Sequence, residues 1–420
     1  MKFHNNRSHN LTSYLEQFGW QEVPENVPSD FSLHGGDNIV SKVKVWPKQF
    51  WHMVDNLWIW HSLLRTLKLE HLAPETILEW DKVNLEEKDF NEKSIWFFKN
   101  IFGVHGKGIN LFSKYNEYIK ALNEYNEKTQ YLQGACLNEE LNLQYVLQKC
   151  IFDTHLIKGR KYILRVYTLS LGNGSTFIYN DCFYYSALFP KKYDYKDCYI
   201  GKNNKVYPLS VKNKHNKTFV PKEQMRINVH VSHWHPDRES KFNIVDNRIM
   251  GILSELPIYK KVMQNLFRNT REMSKLQENV LNEYVDCKEK PINVDLDNIY
   301  QIWGSDYIVE EDLSVKCVEI NGFPNLSHGD PYKGASDAKV RPHEVKFRKN
   351  GFDRDLMRRL GFNLENTNVE NNWVLLNQAN LNIPIEELHL QKLKKVRKSR
   401  RKRKSKSRRK RKSKSRKSKK

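Results

Sequence analysis

The chain has 420 residues, which is long enough for two or three lobes and a sizeable core. Its formal net charge is +22, but residues 392–420 hold 21 of the 71 lysines and arginines and no acidic residue. The other residues carry 50 basic and 49 acidic side chains, which argues against a body that binds nucleic acid through net positive charge.

The cysteines and the first residues indicate a compartment. The six cysteines include no C-x-x-C pair, and scattered, unpaired cysteines are typical of a reducing environment. Met1–Phe18 is polar, and no run approaches the roughly 18 apolar residues of a membrane span. We therefore expect an intracellular protein, cytoplasmic or nuclear, that is not secreted and does not enter a membrane.

An N-terminal lobe is predicted over residues 1–82. The polar start of the chain is expected to be loosely structured, with a short helix at Leu11–Phe18. Ile39–Trp46 alternates as a strand, Pro47–Leu67 has the period of an aromatic-rich helix, and Ala73–Trp80 forms a short crossover.

A central lobe is predicted over residues 83–152, and its first half carries a candidate phosphate site. Ile95–Lys99 is an apolar strand that ends in a lysine, and a glycine-rich loop follows at Asn100–Gly108. Lys99 can reach a nucleotide phosphate there, and Gly103, Gly106 and Gly108 let backbone N–H groups approach phosphate oxygens. An ordinary hairpin with a surface lysine is an equally good interpretation of this segment taken alone.

The second half of the central lobe is predicted to contain a strand at Ile109–Phe112, a helix at Tyr115–Tyr125 and a buried strand at Tyr145–Ile151. The last strand reads YVLQK before its end. A buried strand that ends in polar residues such as Gln148 and Lys149 can offer backbone groups to an adenine ring.

A C-terminal lobe is predicted over residues 153–372. Its strand from Lys161 to Leu171 returns at Phe177–Tyr179 through a glycine turn. Helical periods follow at Ile252–Tyr284 and Ala335–Leu360. Residues 373–391 read as a linker, and residues 392–420 as a disordered Lys/Arg/Ser tail.

Two cations in this lobe share a predicted strand face. Lys161 and Arg165 lie four residues apart, and residues an even number apart point to the same side of a strand. Two cations on one face of an apolar strand favour an anion, either a phosphate or a substrate carboxylate. A basic stripe on the surface is the alternative.

Three histidines cluster in the segment INVHVSHWHP. His230, His233 and His235 could suggest zinc, but no cysteine lies near and the segment reads as a loop. Hydrogen-bonding or surface roles are the favoured interpretation.

The most informative stretch is Gln301–Leu326, which reads as two strands joined by an acidic turn. With the turn centred between Asp312 and Leu313, Asp306 lies opposite Glu319, and Asn321 joins Glu319 on that face. Two carboxylates and an amide oxygen suit a hard cation such as Mg²⁺. A surface hairpin with ordinary acidic residues is the alternative, and the apolar residues around Glu319 argue against it.

Together these segments resemble the tubulin tyrosine ligase-like family, whose fold is ATP-grasp. The resemblance runs from about Ser41 to Leu326 and rests on segments in the family's order: WFFK, GVHGKGI, VLQK, GRKYILR, HVSH and WGSDYIVEEDLSVKCVEINGFPNL. It implies an α+β, ATP-grasp-like fold with three lobes and a nucleotide between the central and C-terminal lobes.

The resemblance also implies roles and cofactors, namely ATP and Mg²⁺. Lys161 and Arg165 would face the nucleotide and the acyl-phosphate site, and His230 would lie near the ribose or the incoming substrate. The remaining roles are metal binding by Asp306, Glu319 and Asn321, phosphate binding by Lys99, Gly106 and Lys107, and adenine contacts from Gln148 and Lys149.

Three positions depart from the family pattern. Ile163 stands where the family has Asp, Tyr184 where it has Arg, and Ser232-His233 where it has Thr-Asn. The activity implied is ATP- and Mg²⁺-dependent carboxylate–amine ligation that adds an amino acid to a protein, through an acyl phosphate. The acceptor could be tubulin or another protein with an acidic tail. An inactive relative, or a protein that binds nucleic acid through its basic tail, is the alternative.

Overall fold

The structure is a computed structural model. It describes residues 1–4, 11–33, 41–46, 56–78, 85–91, 93–101, 109–132, 145–201, 206–208, 217–220, 222–230, 249–286, 298–322, 324, 342–365 and 369–377.

These residues form a mixed α/β fold with one large mixed sheet and two small sheets. The strands, numbered in chain order, are β1 (Lys2–His4), β2 (Gln21–Glu22), β3 (Ser29–Ser32), β4 (Ser41–Val45), β5 (Thr76–Ile77), β6 (Trp96–Asn100), β7 (Ile109–Phe112), β8 (Tyr145–Lys149), β9 (Tyr162–Leu171), β10 (Thr176–Tyr179), β11 (Phe183–Ser186), β12 (Cys198–Gly201), β13 (Val206–Pro208), β14 (Lys217–Val220), β15 (Met250–Ile252), β16 (Ile299–Val309), β17 (Val315–Asn321) and β18 (Trp373–Asn377). The α-helices are α1 (Thr12–Glu16), α2 (Leu57–Thr66), α3 (Tyr115–Leu132), α4 (Lys222–His230), α5 (Tyr259–Asp286), α6 (Pro342–Phe347) and α7 (Asp353–Arg359).

The large sheet has eleven strands, and β9 and β16 form its centre. Along the main path the order is β15-β11-β9-β16-β4-β3-β1-β2, while β10 extends from β9, β18 from β10, and β17 from β16. β16 pairs antiparallel with β9 and parallel with β4, so the sheet is mixed. The N-terminal strands therefore continue the sheet of the C-terminal lobe.

The central strands are apolar on both faces because each face is covered. Leu164 and Trp303 point into a core that also contains residues of α2 and α5. Tyr167 and Ile302, on the other face, pack with the α6–α7 region and the N-terminal strands. A strand covered on both sides reads as an apolar run, and the alternation of its few polar residues becomes the useful signal.

The two small sheets carry their own cores. The four-stranded sheet, in the order β5-β8-β6-β7, buries Phe98, Phe112 and Leu147 against Tyr118 of α3. The three-stranded sheet, in the order β13-β12-β14, has a core that includes Met225 and Val229 of α4.

Several predicted elements are confirmed within the described residues, and others were wrong. The start of the chain, predicted to be loosely structured, contributes β1, β2 and β3 to the large sheet, because apolar residues such as Phe3 and Phe31 are buried in its core. The helix predicted to end at Tyr125 continues to Leu132.

The helix predicted from Ile252 begins at Tyr259, because Met250–Ile252 forms β15 and pairs with β11. The predicted linker does not begin at residue 373: Trp373–Asn377 is a strand whose hydrogen bonds go to β10. Trp373 is 1% exposed, so this strand is part of the core.

The last helical segment is interrupted. Between α6 and α7 the backbone passes through a π-helical turn, Arg348–Phe352, in which Gly351 has φ 115°. A left-handed φ of this kind is accessible to glycine at little cost. Residues 335–341 of the predicted helix and the whole tail lie outside the described residues.

Within the part of the chain that the structure describes, no helix combines the length and the apolar character that a bilayer crossing requires.

Candidate active site

A cleft lies between the four-stranded sheet and the β9–β16–β17 region of the large sheet. Its polar lining residues are Lys99, Gln148, Lys149, His230 and Glu319. Its apolar lining residues are Pro74, Phe97, Ile109, Ile151, Ile163, Ile308 and Val318. The two sheets thus bring residues predicted for phosphate, adenine and metal binding to one space.

The predicted register of the β16–β17 hairpin is confirmed, since Asp306 lies directly opposite Glu319. Beyond this pair, Tyr307 lies opposite Cys317, so Val318 is an extra residue on β17. Such a bulge bends its strand and re-aims neighbouring side chains. Val318 and Glu319 consequently both line the cleft, although they are adjacent in sequence.

A row of charged residues crosses three strands beside the cleft. Arg165 of β9 lies opposite Asp306 of β16, which lies opposite Glu319 of β17. The guanidinium of Arg165 donates twice to the Asp306 carboxylate, from Nε to Oδ1 at 2.6 Å and from Nη2 to Oδ2 at 3.1 Å. Burial disfavours the charged form of Arg165, but the Asp306 carboxylate raises the pKa of Arg165 well above its usual value.

Gly304 permits this packing. A Cβ atom at Gly304 would clash with the ring of Pro324 and press on Cδ of Arg165. Gly304 also accepts a hydrogen bond at its carbonyl oxygen from Nδ2 of Asn321, at 3.1 Å. The glycine therefore lets Pro324 and Arg165 pack closely beside the charged row.

The donor set fits a hard cation. Asp306 and Glu319 are adjacent carboxylates, and Asn321, whose amide nitrogen is bound to Gly304, retains its amide oxygen as a ligand group. Each carboxylate offers about four lone-pair positions, so two bonds from Arg165 do not exhaust Asp306. Among the described residues, no group of three or more His, Cys, Asp or Glu side chains is arranged to hold a metal ion; the set described here has two carboxylates and one amide.

Lys99 projects from β6 on the opposite side of the cleft. Its Nζ donates to Oε1 of Gln148 on β8, at 2.6 Å. Burial lowers the pKa of Lys99, and the charges of Glu319 and Asp306 oppose that effect. The lysine therefore lies within the electrostatic reach of the charged row while its direct partner is a neutral amide.

Gln148 connects Lys99 to a buried histidine. Nε2 of Gln148 lies 3.2 Å from Oγ1 of Thr76 and 3.3 Å from Nε2 of His61. Burial, reinforced by the charges of Lys99 and Arg65, lowers the pKa of His61 to about 3. His61 is therefore neutral near pH 7, and its Nε2 accepts the amide hydrogen of Gln148.

Lys149 belongs to the segment predicted to contact adenine, and Lys161 lies next to that segment. Lys149 pairs with Glu75 at 2.9 Å at an exposed position. Lys161 precedes β9 and donates from Nζ to the carbonyl oxygen of Ile151, at 2.8 Å. Although Lys161 and Arg165 were predicted to share one face, their charged ends have different partners, because the Lys161 ammonium reaches back to the 150–152 segment.

His230 was predicted in a loop, which is wrong: it is the last residue of α4. Its Nε2 lies 3.0 Å from Oδ2 of Asp194, and its Nδ1 lies 3.5 Å from Sγ of Cys150. His233 and His235 lie outside the described residues, as do the loop glycines and Lys107.

Tyr184, predicted to stand at the family's arginine position, lies on the core face of β11 and not on the face of the cleft. Tyr184 lies opposite Leu164 and packs into the core against Gly251. Its neighbour Tyr185 lies opposite Ile163, on the face of Arg165, whose charge acts on its hydroxyl. The alternation along β9 and β11 could have shown that residue 185 shares the site face.

Other residues of the site were missed from sequence. Cys150, Asp194 and His61 contact predicted site residues, but each belongs to a segment distant in sequence from its partner. The strand YVLQK followed by Cys150 was the one local signal available.

A model of the tubulin-tyrosine ligase family matches residues 35–335. The match covers well over half of the chain and includes every residue that lines the cleft. The chain belongs to the tubulin-tyrosine ligase family. A search of curated proteins found no match. Membership of the tubulin-tyrosine ligase family indicates an ATP-grasp-like fold and ATP-dependent amino-acid ligase activity.

Proposed function

We propose that the protein is an ATP- and Mg²⁺-dependent ligase that joins an amino acid to an acceptor protein through an amide or isopeptide bond. The observation that supports this most directly is the position of Lys99 and Glu319 across one cleft, each on a different sheet. A cation for phosphate and a carboxylate for metal, facing the same space, are what a nucleotide-dependent ligase requires.

Different residues of the cleft would bind the phosphates, the nucleotide and the metal ion. Lys99 and Lys149 would bind the phosphates and the nucleotide edge, and Gln148 would hold Lys99 in position. Mg²⁺ would be held by Asp306, Glu319 and Asn321, and when bound it supplies charge neutralisation to the phosphates.

Arg165 would act partly through Asp306. Because its guanidinium holds both oxygens of that carboxylate, it fixes the orientation in which Asp306 meets a ligand. Lys161, bound to the Ile151 carbonyl, would likewise shape the backbone edge that faces an adenine.

The reaction would run in two steps. A carboxylate attacks the terminal phosphorus of ATP, and ADP leaves with the electron pair of the broken P–O bond. An amine then attacks the acyl phosphate, loses its proton and releases phosphate. These steps depend on alignment and charge neutralisation more than on a strong base, so buried, hydrogen-bonded cations are the relevant feature.

The direct test is a ligation assay read by mass spectrometry. The protein is incubated with ATP, Mg²⁺ and each amino acid in turn, with tubulin and other acidic-tailed proteins as acceptors. The proposal predicts an acceptor mass increase equal to one or more amino-acid residues, dependent on ATP. ATP-independent additions, or none with any amino acid and acceptor, would contradict it.

A second candidate is a relative that binds nucleotide without ligating. Ile163, at the position of a family aspartate, lines the cleft together with Ile308, which removes a polar contact from that wall. This candidate predicts saturable ATP binding with no mass shift and no ATP consumption in the same assay.

The tail, residues 392–420, carries only basic charged residues, so its binding partners can be tested separately from the cleft. We expect residues 392–420 to bind acidic protein tails or nucleic acid through contacts that fade as the Debye length falls from about 10 Å at 0.1 M salt to about 3 Å at 1 M. Truncation after Leu390 should abolish the salt-sensitive retention of the protein on a cation-exchange column and leave its affinity for ATP unchanged. Loss of ATP binding on truncation would contradict the separation of tail from cleft.

A further inference from the structure

A hydrogen-bonded group of ionisable side chains lies beside the cleft. Sγ of Cys150 is 3.5 Å from Nδ1 of His230 and 3.5 Å from Nζ of Lys161. Nε2 of His230 is 3.0 Å from Oδ2 of Asp194, which also pairs with Nε of Arg226 through its other oxygen at 3.2 Å. The cysteine thus stands at the end of a cysteine–histidine–aspartate chain and beside a lysine.

The geometry favours the thiolate form of Cys150. When the N–H of His230 Nε2 donates to Asp194, Nδ1 presents a lone pair to the thiol and can take its proton. The resulting thiolate then faces an imidazolium and the Lys161 ammonium, both buried with it. Lys191, over the ring of Phe152, adds a further positive charge to this neighbourhood.

Electrostatics agrees with the geometry. Burial opposes ionisation of Cys150, but the charges of Lys161 and His230 and a hydrogen bond from each lower its pKa to about 7. Burial instead raises the pKa of three other buried cysteines, Cys182, Cys198 and Cys317. These three cysteines therefore serve as internal controls for the reactivity of Cys150.

The group borders the cleft. Lys149 and Ile151, the chain neighbours of Cys150, line the cleft, and so does His230. Cys150 itself keeps 7% exposure, whereas Cys182 and Cys317 have none.

We propose that Cys150 is a redox-modified residue that a hydroperoxide oxidises to sulfenic acid. The thiolate sulfur attacks one peroxide oxygen, the O–O bond breaks, and an S–O bond forms. Sulfur loses two electrons to the peroxide, and the departing hydroxide or alkoxide takes the proton held by His230 and leaves as water or an alcohol. Asp194 is a positioning residue in this scheme, because it accepts a hydrogen bond from Nε2 of His230 and so turns Nδ1 toward the thiol. This property is independent of the proposed ligase activity.

The test begins with labelling kinetics in the full chain with Cys136→Ser and Cys287→Ser, which leaves the four cysteines discussed above. Iodoacetamide labelling is followed by peptide mass spectrometry from pH 5.5 to 9.5. We expect Cys150 to label before the other three, with half-maximal rate near pH 7, against 9.0 for an ordinary thiol. Labelling of Cys150 with the pH profile of an ordinary thiol, or no faster than Cys198, would overturn the proposal.

The chemistry is then tested with hydrogen peroxide and dimedone, a carbon nucleophile that traps sulfenic acids. Dimedone should attach to Cys150 at peroxide concentrations that leave the other three cysteines unmodified. Asp194→Asn should move the Cys150 pH profile to higher pH, while Asp197→Asn, a control in the same segment whose carboxylate accepts from the Lys222 backbone, should not. Absence of the dimedone adduct, or identical profiles for Asp194→Asn and the parent chain, would refute the scheme.

Discussion

The two sides of the cleft treat buried charge in different ways. On the large-sheet side, Arg165 and Asp306 form a two-bond ion pair in which Asp306 has no exposed surface. On the small-sheet side, the ammonium of Lys99 donates to the neutral amide of Gln148. The first arrangement satisfies charge within the protein, and the second leaves a positive charge that an incoming anion can neutralise.

The contrast is between a charge that a charged protein partner already neutralises and a charge whose hydrogen-bond partner is a neutral amide. Breaking one partner of a buried ion pair leaves the other uncompensated, which costs stability. Removing a cation that is held by a neutral amide costs about one ordinary hydrogen bond, and burial already disfavours its charged form. The two sides should therefore respond differently to matched substitutions.

The largest expected effect is on stability, at Arg165. Arg165→Met leaves the Asp306 carboxylate buried without its guanidinium, and we expect a loss of about 3–5 kcal/mol in the free energy of unfolding. The matched variant Lys99→Met should change it by about 1 kcal/mol or less. Urea unfolding of the two variants measures both values, and equal losses would erase the distinction between the two sides.

A second prediction concerns acid stability and His61, which lies behind Lys99. Its pKa is about 3 in the folded protein and 6.5 in the unfolded chain, so the unfolded state binds one more proton between these pH values. Stability contributed by neutral His61 is present above pH 6.5 and falls by about 1.4 kcal/mol per pH unit as the pH drops toward 3.

His61→Gln tests this directly, because its side-chain oxygen can still accept from Gln148. Between pH 3 and 6.5, the slope of the free energy of unfolding against pH should decrease by about 1.4 kcal/mol per pH unit relative to the parent chain. An unchanged slope would mean that His61 is charged in the folded protein and that the small-sheet side holds two cations.

The third prediction concerns the contribution of Lys99 to the binding of Mg²⁺-ATP. Lys99→Met should weaken Mg²⁺-ATP binding by about tenfold, or about 1.4 kcal/mol, because one charge-assisted contact to phosphate is lost. Lys99→Arg keeps the charge and should recover part of the affinity. Titration calorimetry gives both constants, and equal affinity of Lys99→Met and the parent chain would remove Lys99 from the phosphate site.

Features of the site that depend on residues close together in the sequence could be predicted, and features that depend on distant residues could not. The pairing of Asp306 with Glu319 could be predicted because it depends on one turn and a two-residue period. The bulge at Val318 could not, because nothing in the local pattern distinguishes an extra residue on one strand.

Long-range contacts were beyond the local patterns. β18 pairs with β10, about two hundred residues earlier, and the short apolar run WVLL beyond the last helix gives no indication of that partner. Cys150 and His230 are 80 residues apart, and α4, which ends at His230, is a short helix with a mostly polar sequence. The roles of individual residues stay predictions, because sequence and fold supply positions, not reactions.

The central claim is that the row formed by Arg165, Asp306 and Glu319 ends in a carboxylate available to a metal-bound nucleotide. Glu319→Gln removes one negative charge from that end with little change in shape, whereas Asp306 keeps its pair with Arg165. We therefore expect Mg²⁺-dependent ATP turnover to be lost while the melting temperature of the ligand-free protein stays within about 2 °C of the parent chain. ATP turnover by Glu319→Gln at the parent rate, in the same Mg²⁺ titration, would contradict the account.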